Sequence, residues 1–186
     1  MMEKNYRLER AKVGLLVIDV QEKLFPYVEN SCLVMQAMQK AIRGFQILHI
    51  PIYVTEQYPK GLGDTVAILK GVLGEEQRYL TKTAFSCLDE ESVKKELLHE
   101  SISQWVVIGI EAHVCVLQTV KDLLMNGKQV IVLNDAISSR SIYDFSTAIA
   151  ELRDCGARIS STETVLFELM RNSKMAEFKE ISQLIK

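Results

Sequence analysis

Histidine, proline and tryptophan are scarce in this chain, at three, three and one among 186 residues. His49, His99 and His113 lie too far apart to suggest a histidine-rich metal centre. The four cysteines, Cys32, Cys87, Cys115 and Cys155, are scattered too, with no two within four residues of each other. That spacing excludes a zinc-ligand pair and a C-x-x-C redox motif. A disulfide framework is not needed either, because a chain of this length buries a full core without staples. Charge of one sign is also missing. Twenty-two basic against 24 acidic residues leave a net charge of −2, with no long-range field to favour nucleic acid. No apolar run is long enough to cross a bilayer. The opening MMEKNYRLERAK lacks the apolar core of a signal peptide. Repeats and low-complexity tracts are absent.

What is present is ordinary for a soluble globular protein: 48% apolar and 25% charged residues. The length predicts a single domain over residues 1–186. Scattered cysteines and seven methionines suit a reducing compartment, so a cytoplasmic location is expected.

KVGLLVIDV is a short, solid apolar run ending in an acid, which predicts a fully buried strand. VMQAMQKAIRGFQILH has helical periodicity, IPIYVT is a second strand, and EQYPKGLGD is a polar, glycine-bearing connection. A helix over 65–73, a very short strand at Tyr79–Leu80 and an amphipathic helix in EESVKKELLHES follow. QWVVIGI is the clearest central strand, and VLQTVKDLLMNG a helix closed by Gly127. KQVIVLND, DFSTAIAELRDCG, the edge-like ARIS, STETVLFELM and AEFKEISQLIK continue the alternation. The class is therefore α/β. It is expected to be a three-layer α/β/α sandwich with a mainly parallel sheet of about six strands.

Ligands of open α/β sheets sit beyond the carboxyl ends of the strands. Asp19, Glu56, Gln57, Lys82, the stretch Glu111 to Cys115, and Asp135 all fall at such ends. Polar residues also end strands simply because the chain is reaching solvent. Cys115 stands apart because it opens a helix. Unpaired backbone N–H groups there favour a thiolate, predicting a lowered thiol pKa and early alkylation. The same donors suit an oxyanion. His113 is a rival base, but only two residues away in the entering turn.

Six blocks, in order, carry a resemblance: LLVIDVQEKLF at 15–25, TEQYPKGLG at 55–63, TKTAFS at 81–86, GIEAHVCVLQT at 109–119, LNDAISSRS at 133–141 and STETVLFEL at 161–169. Over nearly its full length the chain resembles the isochorismatase-like cysteine hydrolase superfamily. TEQYPKGLG resembles in particular the branch of isochorismatase domain-containing proteins.

The resemblance implies a catalytic set of Asp19, Lys82 and Cys115. It also implies a cis peptide at Ile110–Glu111 and an oxyanion hole made by the N–H groups of Glu111 and Cys115. Phe25, Gln57, Tyr58, Ala112 and His113 are pocket candidates. Nicotinamidases of the superfamily bind a divalent metal after the second strand. Here Gln57 and Pro59 stand at the aspartate and first histidine positions, so no metal and no cofactor are expected. Isochorismate hydrolysis itself needs no cysteine nucleophile, so Cys115 speaks against that reaction.

The resulting expectation is a hydrolase acting on a C–N bond of a small amide or related compound. Its partners would be a small-molecule substrate and further copies of itself, through a contact in segment 134–145. A weak or inactive family member acting as a scaffold is the alternative, and a thiol or redox enzyme a further one. Arg140 could hold an anion, a loop or a subunit contact.

Overall fold

A computed structural model describes residues 7–186. The sheet is built from β1 (Val13–Ile18), β2 (Ile52–Gln57), β3 (Tyr79–Lys82), β4 (Gln104–Ile110), β5 (Gln129–Ser138) and β6 (Arg158–Ser160). They run in spatial order β3-β2-β1-β4-β5-β6, and every neighbouring pair is parallel. Parallel neighbours require crossovers, and helices supply them. These are α1 (Ser31–Ile47), α2 (Pro59–Leu62), α3 (Ala67–Leu73), α4 (Glu91–Leu97), α5 (Leu117–Met125), α6 (Ile142–Asp154), α7 (Thr162–Met170) and α8 (Phe178–Ile185).

The two central strands are buried at every residue, which is why their sequences read as unbroken apolar runs. Two cores result. One joins Val13, Leu15 and Val17 of β1 to Met38, Ile42 and Phe45 of α1, and to Val165 and Leu169 of α7. The other joins Leu16 and Ile18 to Val93, Trp105, Val116, Val120 and Leu152. Trp105 is wholly buried, donates from Nε1 to the Leu97 carbonyl at 3.1 Å, and meets Tyr53 edge-on at 5.2 Å.

Several boundaries differ from expectation. Helix α1 begins three residues early at Ser31, after Asn30 has turned through a left-handed conformation. Strand β3 continues to Lys82 because its last two residues pair with Glu56 and Gln57, making those two the end of β2 rather than its sequel. Strand β5 does not stop at Asp135. After a shift of register it pairs again with β4, at Gly109–Ile137 and Ile110–Ser138. Part of the polar connection after β2 is helical, as α2.

Gly109 matters to the site. Its φ is +134°, and a Cβ there would lie 2.2 Å from the Ile18 carbonyl oxygen. Only glycine lets β4 pass this close to β1 immediately before Asp19.

Candidate active site

β1 ends at Ile18, and Asp19 then turns through φ +52°. Its N–H donates to the Thr55 carbonyl at 3.2 Å, which fixes the carboxylate over the end of β2. Asp19 is wholly buried. Its Oδ1 accepts from Thr55 Oγ1 at 2.7 Å, and its Oδ2 accepts from Lys82 Nζ at 2.6 Å. Lys82 arrives from β3, whose register sets it beside Gln57. Its ammonium also donates to Gln57 Oε1 at 2.8 Å and to the carbonyls of Phe85 and Ala84 at 3.1 and 3.2 Å. Burial works against this charge, but the Asp19 carboxylate and its hydrogen bond, with Cys87 and Cys115, together hold Lys82 above the usual lysine range.

Cys115 reaches the same point from the other side. The chain leaves β4 through a cis Ile110–Glu111 peptide and enters a π turn, Ala112–Val116, before α5. The wide register sends the Val116 N–H back to the Glu111 carbonyl at 3.3 Å and the Leu117 N–H to that of Ala112. Cys115 is 6% exposed, and its thiol lies within electrostatic reach of both Asp19 and Lys82.

The expected lowering of this thiol's pKa is overturned. Burial pushes the Cys115 thiol up, and the facing Asp19 carboxylate pushes it further; Lys82 offsets only part. The resting group is a thiol facing a carboxylate. Early alkylation is therefore not expected of Cys115, whereas Cys32 and Cys155 are exposed.

The other expected residues separate. Gln57 is not a pocket wall: its Oε1 is taken by Lys82, and its Nε2 donates to the Thr83 carbonyl at 2.6 Å. Pro59 has no donor atom in its side chain. Among the described residues, no group of three or more His, Cys, Asp and Glu is placed to hold a metal ion. Ala112 is wholly buried in the second core, so it cannot line an open pocket. Phe25 packs, half-buried, against the first core. Tyr58 is 53% exposed beside Lys82, whose carbonyl accepts its N–H at 2.8 Å. His113 turns to Ser139, Nδ1 to Oγ 2.9 Å, and ties the π turn to the end of β5. Arg140 Nε donates to Glu111 Oε1 at 2.6 Å, so this arginine braces a loop. Glu56 accepts from the N–H and hydroxyl of Thr65. Asp135 accepts from the N–H and hydroxyl of Thr162, which anchors the start of α7.

Three further residues, none of them among those expected, take part. Thr55 donates to Asp19, and Gln21 clamps Gln57 and Gly63. Cys87 is wholly buried with Sγ 3.9 Å from Thr55 Oγ1. Burial, with Asp19 adding to it, pushes its thiol up to about 11. Strand register could have signalled Thr55, since Ile18 pairs with it directly.

The isochorismatase domain model matches residues 13–164. The chain belongs to the isochorismatase family. Isochorismatase domain-containing protein 2 of Danio rerio is 41% identical over 180 residues, covering 96% of this chain and 89% of that one. A Caenorhabditis elegans structure solved as MAR1 ribonuclease is 38% identical, with a TM-score of 0.90 over 96% of this chain and 92% of that one. The octameric YcaC hydrolase of Escherichia coli, of unknown specificity, superposes with a TM-score of 0.90 over 97% of this chain and 89% of that one. At 20% identity this last likeness speaks for the isochorismatase-like hydrolase fold alone.

Proposed function

We propose that this isochorismatase-family chain is a metal-independent cysteine hydrolase, a single catalytic domain that cleaves a C–N bond of a small amide or related acyl compound. The observation that carries the reading is one buried cluster in which Asp19 accepts from the Lys82 ammonium while both charges act on the Cys115 thiol. Asp19 takes the thiol proton as sulfur bonds to the substrate carbonyl carbon. The oxyanion rests on the N–H groups of Glu111 and Cys115. Collapse breaks the C–N bond while Asp19 returns its proton to the leaving nitrogen. Water then attacks the thioester, Asp19 accepts its proton, and the acid leaves as the thiol reforms. Proton transfer between Cys115 and Asp19 leaves the total charge of the buried cluster unchanged. This is how a thiol with a raised pKa can react near neutrality.

Cys115 is favoured over Cys87 because Cys87 is wholly enclosed, with its thiol on the Thr55 hydroxyl and its N–H on that of Thr119. Lys82 serves as a fixed charge. Four acceptors surround its three N–H bonds, so none is left for substrate. Tyr58 is a wall of the mouth.

Self-association uses segment 134–145, where Ile142 and Tyr143 are 55% and 81% exposed. A cavity of about 320 Å³ lies beside them, lined by Leu33, Val34, Ile137 and Phe145. Free cysteines on the surface, Cys32 and Cys155, suit a cytoplasmic protein.

The test is ammonia release from a panel of small amides, with an RNA oligonucleotide included because one relative bears a ribonuclease name. Hydrolysis of an amide that Cys115→Ser abolishes and Cys87→Ser retains is the expected result. RNA cleavage without amide hydrolysis would overturn the reading.

A further inference from the structure

The hydrolytic steps leave Gln57 unused, yet its side chain is tightly specified. It is 8% exposed, and both ends of its amide are engaged. With Nε2 donating to the Thr83 carbonyl, the oxygen must face Lys82; the reverse orientation would set an NH2 against an ammonium. The backbone of Gln57 is held equally firmly. Its N–H donates to Gln21 Oε1 at 2.7 Å, and its carbonyl accepts from Gln21 Nε2 at 2.9 Å. Gln21 in turn donates its N–H to the Asp19 carbonyl at 2.9 Å. A closed ring runs Asp19, Lys82, Gln57, Gln21 and back to Asp19.

The titratable groups acting on Lys82 are Asp19 from the end of β1, Cys87 from the turn after β3 and Cys115 from the π turn. Glu56, the neighbour of Gln57, spends its carboxylate on Thr65. The cluster therefore holds one buried carboxylate and one buried ammonium, and the fourth polar side chain in contact is neutral.

We infer that Gln57 is a positioning residue, whose neutral amide oxygen holds the Lys82 ammonium against Asp19 and keeps the buried charges balanced when the Cys115 proton leaves. The inference rests on Cys115 being the reacting thiol.

Its test reads that thiol directly and needs no substrate, so failure of the amide panel and failure of this role are separate results. The second-order rate of iodoacetamide alkylation at Cys115 is followed by peptide mass spectrometry from about pH 7 to about pH 10 on the whole chain. Exposed Cys32 and Cys155 are internal references. Gln57→Glu keeps length and acceptor but adds a like charge, so Cys115 should react about tenfold more slowly across that range. The references should not change. A Cys115 rate within about twofold of the unsubstituted protein overturns the proposal. Gln57→Met keeps length and loses the acceptor. It should slow Cys115 about threefold, and cause no further slowing when Lys82 is already methionine, because Gln57 acts through Lys82. Equal slowing in both backgrounds would show an effect on the fold alone and would also overturn it.

Discussion

The carboxyl edge of the sheet has two halves, and they use similar residues differently. Under β3, β2 and β1 the polar groups turn inward. Asp19, Thr55, Gln57 and Lys82 are all buried and bonded chiefly to one another. Under β4, β5 and β6 they brace the architecture. Glu111 pairs with a largely exposed Arg140, Asp135 holds the start of α7, and His113 meets Ser139. A position at a strand end is thus a poor guide to chemistry on its own. Burial with mutual pairing separates the two halves, because a charge removed from water persists only where partners compensate it. Cys115 belongs by sequence to the second half and by its electrostatic partners, Asp19 and Lys82, to the first.

The sharpest way to break the comparison is to remove one charge from each half. Lys82→Met leaves Asp19 buried without its cation and should cost about 3–5 kcal/mol in urea unfolding. The effect of pH on stability comes next. The Cys87 thiol sits at about 11 when folded, against 9.0 for its reference. A group whose pKa is raised on folding stabilises the native state below the unfolded value, and that contribution is lost as pH rises through the folded value. Unfolding free energy should therefore fall between about pH 9 and pH 11, with Cys87 supplying about 2–3 kcal/mol of the decline. Cys87→Ala should flatten that slope, whatever it does to stability at neutral pH.

In the second half the effects shrink. Asp135→Ala frees the Thr162 N–H and should cost about 1 kcal/mol, with Cys115 alkylation unchanged. Smallest is Arg140→Met, which breaks an ion pair with a 63% exposed arginine side chain and should cost less than about 1 kcal/mol. A loss as large as that from Lys82→Met would erase the distinction between the halves.

Strand identity was legible wherever burial on both faces makes a strand an unbroken apolar run, as in GLLVI and WVVIGI. Ends were less legible, because pairing decides them. Lys82 lies within β3 only because Gln57 stands opposite, and β5 runs on because β4 resumes contact after a register shift. In the cluster, family blocks singled out Asp19, Lys82 and Cys115, while Thr55 and the pairing of Gln57 with Lys82 depend on inter-strand register that no local stretch contains. The thiol shows the limit most clearly. A helix start predicts a lowered pKa, yet burial and a carboxylate brought from nearly a hundred residues away reverse the direction.

The proposed chemistry depends on Cys115 being the nucleophile of this cluster. Its most direct test is peptide mapping of the folded protein after brief exposure to a small activated acyl ester, p-nitrophenyl acetate, in the unsubstituted chain and in Asp19→Asn. An acetyl group is expected on Cys115, much reduced when Asp19 can no longer take the proton. Acetylation of Cys87 in place of Cys115, or of Cys115 at the same rate in both proteins, would contradict it.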